Sequence, residues 1–468
     1  MRPSKRAPAA AEEAACLVAT LPLALALEHV IPFLPVHELA RAACVCRSWC
    51  NVLAPESLWL RLDLSGYLCS FPNADALLVG AARRARGRLS HLDVSSSLKF
   101  TTQTLLSVLT DNADHLRELR VNSLGAEEGD ENPTLAALLQ AAPLLQVLDA
   151  SATCDVQGAR ALLHAGPPLR LRSLSVNFGN VARGYGSAHW PCGSPESVIE
   201  FAAVLKDSTL QPALSEVTLL CALTSDTAVM DAIADAALSR GLSGLSLCGC
   251  TPPAPVPLAR LIAGGALKSL SLMGIMTATL SPAGVTRFLL GEAGAKLVAD
   301  ALRSTMSLTS ITLMCASLSC DTGAAAAFLG ACAGHPSLQQ ISVSGERADS
   351  PAALGVALAS IVAADSPALR VLYIPGNQLG DAGLAPIMDA LPGNRHLQYL
   401  VMHNNGMSED FARLRLLPAV RANTGLRGLL ACGQGDNKEA IPAAVEEAQA
   451  LVNERLKEAT SSCDGGTT

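Results

Sequence analysis

The chain has 468 residues, of which 50% are hydrophobic, 16% charged and 3% aromatic, a composition that excludes an intrinsically disordered protein. Its 34 basic and 41 acidic residues give a formal charge of −7, so no global positive field recruits nucleic acid or anionic lipid. Prolines such as Pro252 and Pro253 interrupt the apolar stretches, and we therefore expect a soluble protein with no membrane-spanning helix. Neither nucleic acid nor a membrane is an expected partner.

Residues 1–15 are polar or small and are predicted to be a disordered amino terminus. Arg2 precedes an apolar run at 14–27, which superficially resembles a signal peptide. Glu12 and Glu13 lie between the basic residues and the run, and Pro22 interrupts it, so we do not expect a targeting segment.

The 15 cysteines form no regular framework and are odd in number, which is typical of reduced thiols in a cytoplasmic or nuclear protein. Two close clusters, at residues 44–50 and 248–250, lack the paired C-x-x-C spacing of a structural zinc site. We predict no bound metal and interpret these cysteines as buried side chains.

Residues 16–66 show the apolar spacing of three short helices, with prolines before the helix starts. The landmarks are two Leu-Pro pairs, a Val-Cys-Arg-x-Trp phrase and a closing Leu-Trp: Leu21-Pro22, Leu34-Pro35, residues 45–49 and Leu58-Trp59. In this order and spacing the segment resembles an F-box. The resemblance implies a small all-α module that binds a Skp-family adaptor through apolar side chains, namely Leu21, Pro22, Leu34, Pro35, Val36, Leu39, Val45 and Trp49. From the residues alone, the alternative is an amino-terminal cap for the repeats that follow.

Residues 67–434 are dominated by a recurring phrase, L-x-x-L-x-L, whose spacing is typical of a short strand with one buried face. The phrase begins at Leu89, Leu116, Leu145, Leu171, Leu214, Leu242, Leu267, Leu308, Leu338, Leu369, Leu397 and Leu426. Nine of the eleven intervals fall between 25 and 31 residues, so the period belongs to the fold. The two longer intervals predict insertions near 178–212 and 275–290.

The best copy of the repeat starts at Leu369, has a polar Asn377 at position nine and continues into a helical stretch at 384–391. Asn405 occupies the same position in the next copy. These repeats resemble the ribonuclease-inhibitor-like class of leucine-rich repeats. The resemblance implies an α/β solenoid, a horseshoe with parallel strands inside and helices outside.

After the last phrase, the apolar residues of 435–460 follow a helical period with many glutamates on the opposite face. We predict a carboxy-terminal capping helix there and a disordered tail at 461–468.

Together the two resemblances are to F-box and leucine-rich repeat proteins, which are non-catalytic, cofactor-free substrate-recognition subunits of cullin-RING (SCF-type) ubiquitin ligases. They imply a Skp-family adaptor, a cullin and a protein substrate as partners. The chain has no nucleophile elbow, no H-x-x-x-H phrase and no paired catalytic carboxylates, so we predict that it is not an enzyme. A ligase-independent repeat scaffold is the alternative, and a regulator of GTPases built on this solenoid is a weaker third.

The outward positions of the strands are charged in the early repeats and are mostly Ser, Thr and Gly in the middle ones. Arg117, Arg120 and Arg172 are predicted to bind an acidic segment of the substrate, with solvated strand residues as the alternative. Tyr185 and Trp190 in the first insertion are predicted to contact a partner, unless the aromatic rings bury against their own fold. A helix start with Ser194 as its cap follows this loop.

Overall fold

The computed structural model describes residues 59–64, 74–94, 101–121, 135–149, 159–160, 163–164, 171–178, 194–220, 222, 224–249, 253–274, 291–314, 322–345, 350–431 and 443–464. The chain divides into two compact units. Unit 1 comprises Met1–Val176 with Gln211–Leu214, and unit 2 comprises Asn177–Leu210 with Ser215–Thr468.

Unit 1 alternates short strands with helices. Its strands are β1 (Arg61–Asp63), β2 (His91–Asp93), β3 (Glu118–Arg120), β4 (Val147–Asp149) and β5 (Ser173–Asn177). Its helices are α1 (Ala74–Arg84), α2 (Thr102–Asp111) and α3 (Leu135–Ala141). Each strand pairs in parallel with the next along the chain, so the sheet order is the sequence order.

Unit 2 repeats the same arrangement at greater length. Its strands are β6 (Glu216–Leu220), β7 (Gly244–Gly249), β8 (Ser269–Gly274), β9 (Ser310–Met314), β10 (Gln340–Ser344), β11 (Val371–Tyr373), β12 (Tyr399–Val401) and β13 (Gly428–Leu430). These eight strands are also parallel and in sequence order.

The helices of unit 2 follow the strands. They are α4 (Pro195–Lys206), α5 (Thr227–Arg240), α6 (Pro255–Ala263), α7 (Gly291–Ser304), α8 (Thr322–Cys332), α9 (Pro351–Ala363), α10 (Gly380–Ala390), α11 (Glu409–Phe411), α12 (Leu417–Ala422) and α13 (Ala443–Asp464). A 3₁₀ turn at Leu391–Gly393 extends α10, and a π turn at Ala412–Leu416 joins α11 to α12.

The leucines of the repeated phrase form the core, as predicted. In the copy that starts at Leu338, the side chains of Leu338, Ile341 and Val343 are at most 2% exposed, and strand β10 contains the last two of them. All twelve phrases coincide with a strand, β2 to β13. The third apolar position of the phrase at Leu145 lies outside the described residues.

Two asparagines connect neighbouring repeats through their side chains. Asn377 Nδ2 donates to Val343 O at 2.9 Å, and Asn405 Nδ2 donates to Ile374 O at 2.8 Å, so each amide bonds a carbonyl of the preceding repeat. Both residues are at most 2% exposed. They satisfy backbone groups where the chain leaves the strand, and both stand at position nine of their phrase.

Residues 61–63 differ from the prediction, which places them in the helical module ending at residue 66. They form strand β1, which pairs with β2 in register. Leu62 and Leu64 are buried and alternate with polar Arg61 and Asp63, and this period of two favours a strand over a helix. Trp59 is fully buried beside them, and the Arg84 guanidinium lies 4.8 Å from its ring centroid.

The carboxy-terminal helix also differs from its predicted bounds. Helix α13 begins at Ala443 and continues to Asp464, whereas residues 461–468 were expected to be a disordered tail. It caps the last repeat as predicted: Val445, Ala448 and Val452 are buried, and Arg455 Nη1 donates to Asn423 O at 2.6 Å. The bound carbonyl lies at the end of α12, where helix carbonyls have no intrahelical partner.

The first predicted insertion contains helix α4. Ser194 is its N-cap and its Oγ accepts from Ser197 N at 3.3 Å, while Pro195 occupies the first turn, as the sequence indicates. The rings of Phe178 and Phe201 meet edge to face with centroids 5.7 Å apart, which fixes α4 on its unit. Residues 275–290, the second predicted insertion, lie outside the described residues.

Candidate functional site

The outward side chains of β1 to β4 form a charged surface, which we call the charged face. Parallel register places them in two rows across the strands. The first row is Arg61, His91, Glu118 and Val147, and the second is Asp63, Asp93, Arg120 and Asp149. A pocket of about 190 Å³ lies over the first three strands and is lined by the members of both rows on those strands, together with Leu62 and Leu92.

His91 is the centre of a hydrogen-bonded chain on this face. Arg61 Nη1 lies 2.9 Å from His91 Nε2 and, as an obligate donor, makes that nitrogen the acceptor. The proton then resides on Nδ1, which is 2.7 Å from Ser90 Oγ, and that hydroxyl donates to Leu60 O. His91 is therefore a neutral imidazole in this arrangement.

Glu118 connects Arg120 to His91 across the pocket. Its Oε1 accepts from Arg120 Nε at 2.9 Å and lies 2.8 Å from Arg120 Nη2, while Oε2 is 3.3 Å from His91 Nε2. Burial lowers the pKa of His91 below its ordinary 6.5, and the positive charges of Arg61 and Arg120 lower it further against the opposing effect of Glu118. Protonation of Nε2 would break the Arg61 contact and create a charged pair with Glu118.

Arg117 does not reach this face, although it was predicted to bind substrate with Arg120 and Arg172. Its guanidinium donates to Leu116 O and Asp114 O, both at 3.2 Å. These two carbonyls belong to the turn before β3, so the side chain stabilises that turn. The second position of the phrase is used in the same way in unit 2: Arg370 donates to Leu369 O and His396 O, and Arg427 donates to Thr424 O and Leu426 O. In these three copies the arginine at the second position supports the backbone.

Arg120 and Arg172 have separate positions. Arg120 is on the charged face and pairs with Glu118, whereas Arg172 is exposed at the second phrase position, one residue before β5. The three arginines therefore occupy two different positions of the phrase, and their binding of an acidic substrate segment stays a prediction. Tyr185 and Trp190 lie outside the described residues.

Arg61 and Asp63 belong to the charged face. They were predicted to lie in the helical module at residues 16–66. The signal that identifies them is the alternation of residues 60–64, which matches the outward positions of the later strands. Their pairing with His91 and Asp93 in register then follows from parallel stacking.

The sheet of unit 2 presents a very different surface. On its first strand, β6, the outward Glu216 is in register with Gly244. From β7 to β13 the two outward rows that run through all seven strands contain no Lys, Arg, Asp or Glu, and we call these two rows the uncharged face. One row is Gly244, Ser269, Ser310, Gln340, Val371, Tyr399 and Gly428, and the other is Ser246, Ser271, Thr312, Ser342, Tyr373, Val401 and Leu430.

The described residues include no cluster of three or more His, Cys, Asp or Glu side chains arranged to hold a metal ion. Within the same ranges, no helix combines the length and apolar character that a bilayer crossing requires. Cys248 and Cys332 form no disulfide, and burial raises the pKa of Cys332 to about 12, so its thiol stays protonated.

Comparison with known families identifies one domain. The F-box-like family matches residues 19–65, and the chain therefore carries an F-box-like domain at its amino terminus. No curated protein matches the chain. The matched segment contains all eight residues predicted to bind the adaptor, which lie outside the described residues, and it ends just after β1.

Proposed function

We propose that the protein is the substrate-recognition subunit of an SCF-type cullin-RING ubiquitin ligase. The F-box-like domain binds a Skp-family adaptor, which connects the chain to a cullin, and the repeats hold the protein substrate. The match at residues 19–65 is the observation that carries this proposal. F-box proteins are generally non-catalytic, so the chain itself contributes binding and positioning.

The sheet faces support the substrate-binding part of the proposal. A parallel sheet with outward side chains in rows offers a broad, regular surface, and each unit has one. The charged face suits polar recognition, and the uncharged face suits contacts without ionic pairing. Sequence differences at the outward positions change specificity without changing the buried leucines.

A ligase-independent interaction scaffold is the second candidate. It uses the same faces and differs in having no adaptor. Trp59 supports this candidate. It lies near the end of the F-box-like domain and is fully buried in unit 1, so this end of the domain contributes to the core of that unit. The adaptor is therefore the partner whose presence separates the two functions. The expected compartment is the cytoplasm, the nucleus or both.

Adaptor capture tests the proposal. The double substitution Leu34→Asp with Pro35→Ala places a charge on the predicted contact and should abolish co-purification of a Skp-family adaptor, which the wild-type chain should retain at micromolar concentration. Val356→Arg, on helix α9 and 61% exposed, is the matched control and should bind the adaptor normally. Failure of the wild-type chain to capture the adaptor would favour the scaffold.

A further inference from the structure

The charges of unit 2 are concentrated on its helices. Arg260 pairs with Asp231 and Asp235 of the neighbouring helix, Lys296 with Glu292, and Arg415 with Asp389. The described sheet rows from β7 to β13 have none. Charged groups are therefore abundant on the described helices of this unit, and the described rows from β7 to β13 lack them beyond Glu216 of β6.

Three cations stand one residue before strands of the uncharged face, namely Lys268, Arg370 and Arg427. Arg370 and Arg427 donate to backbone carbonyls, and Lys268 is exposed at the edge, one residue before β8. The two rows themselves have no formal charge, and Glu216 on β6 borders them at Gly244.

The uncharged face has two parts. Over β7 to β10 it is built mainly of hydroxyls: Ser246, Ser269, Ser271, Ser310, Thr312 and Ser342. Over β11 to β13 it is built of larger apolar and aromatic groups, which we call the aromatic end: Val371, Tyr373, Tyr399, Val401 and Leu430.

Tyr399 is the most prominent group of the aromatic end. It is 39% exposed, and Leu430 on the next strand is 41% exposed. A Cβ on Gly428, its register partner, would lie 2.3 Å from Tyr399 Cδ1, so the absence of a side chain there lets the ring lie across β13. This geometry exposes a broad aromatic face at low conformational cost, which is typical of binding hot spots.

A charged segment binding to this surface would lose water without gaining an ionic partner, which disfavours its binding. Hydroxyls, in contrast, donate to and accept from backbone amides and neutral side chains. The seven strands span six spacings of roughly 4.8 Å, about 29 Å, which accommodates about nine extended residues.

We propose that the uncharged face binds an uncharged segment of a partner protein, with an aliphatic or aromatic residue of that segment seated on the aromatic end. This inference rests on the proposed function only in taking the partner to be the substrate. The segment proposed here is uncharged. It therefore differs from the acidic segment that the arginines of unit 1 are predicted to bind.

The probe is a phage-displayed library of random 12-residue peptides, selected on the purified full-length chain. We expect enriched peptides to be poor in Lys, Arg, Asp and Glu and to contain a recurrent Leu, Ile, Phe or Trp. Fluorescence anisotropy then measures one enriched peptide on variants. Ser342→Arg and Tyr399→Ala should each weaken it tenfold or more, while Val356→Arg on the outer face of α9 should leave it within twofold.

Circular dichroism establishes that each variant is folded, and Ser271→Arg on another strand replaces Ser342→Arg if that variant unfolds. Enrichment of charged peptides, no enrichment, or affinities unchanged by both sheet variants would overturn the inference. Adaptor capture is measured on the same preparations. If the wild-type chain binds the peptide but captures no adaptor, the ligase proposal is wrong and peptide binding by the uncharged face is still supported.

Discussion

His91 is held as a neutral side chain by its neighbours. Arg61 donates to one ring nitrogen and Ser90 lies against the other, while burial and nearby cations disfavour a proton. Because the pKa of His91 is lowered in the folded state, the unfolded chain binds more protons in the window between that value and 6.5. Stability contributed by this site is present above pH 6.5 and lost as pH falls through the folded pKa.

We predict that His91 titrates below 6.5 in a histidine NMR titration. On acidification from pH 7.5 to 5, the wild-type chain should lose more stability in urea than His91→Gln, which has no proton to gain at this position. A titration midpoint at or above 6.5, with equal losses in the two proteins, would contradict this description of the pocket.

Arg117 and Arg120 are three residues apart and differ in what they bind. Arg117→Ala removes two bonds to backbone carbonyls and should destabilise the protein by about 1 kcal/mol. Arg120→Ala removes an ion pair whose arginine side chain is 49% exposed and should cost less than about 0.5 kcal/mol. Urea denaturation of both variants measures the difference, and a larger cost for Arg120→Ala would reverse the assigned roles.

At the scale of elements, helices α9 and α10 approach each other through glycine. A Cβ on Gly355 would lie 2.0 Å from Gly383 O, and a Cβ on Gly383 would lie 2.6 Å from Pro351 O. No rotamer change relieves a clash with backbone, so the two helices would have to separate. The close contact fixes the spacing of two consecutive repeats.

Gly355→Ala should therefore destabilise the protein by about 2 kcal/mol. Gly330→Ala on helix α8 is the matched control, since nothing lies within 4 Å of an added Cβ there. That control should be neutral or stabilise by roughly 0.5 to 1 kcal/mol, because alanine favours the helix. Thermal unfolding of the two variants distinguishes the loss of helix packing from the gain in helix propensity. Equal melting temperatures would show that α9 and α10 separate at no cost.

The strands could be predicted from the sequence because each repeat contains its own pattern of buried leucines. The Asn377 and Asn405 positions were predictable for the same reason. A second set of polar contacts was not: Asn394 Nδ2 donates to Val362 O and Asn423 Nδ2 to Leu391 O, each bonding the helix end of an earlier repeat. Both asparagines stand three residues before the first leucine of a phrase, Leu397 or Leu426, so they share a position of the repeat. The carbonyl that each amide binds is about thirty positions away, and the sequence does not specify it.

The candidate site was predictable in its location and not in its chemistry. Register and alternation place Glu118 and Arg120 on the outward side of β3. A strand pattern does not specify whether a long side chain extends from the sheet or folds back, and Arg117 folds back onto its own turn. Sequence spacing therefore places an arginine on a strand or turn without specifying the direction of its side chain.

At the scale of the whole molecule, the F-box-like domain and the repeats share residues. The match ends at residue 65 and strand β1, inside it, pairs with β2. A truncation at residue 66 would remove β1 together with buried Trp59 and would expose the edge of the sheet of unit 1. Point substitutions at Leu34 and Pro35 therefore separate adaptor binding from folding better than deletion does.

The most direct test is the molecular mass of the assembly that the full-length chain forms with a Skp-family adaptor and the adaptor-binding region of a cullin. Sedimentation velocity at micromolar concentration should show one complex containing one copy of each component, and the Leu34→Asp, Pro35→Ala variant should sediment apart from the other two. A folded wild-type chain that sediments alone in the same mixture would contradict the assignment as a ligase subunit.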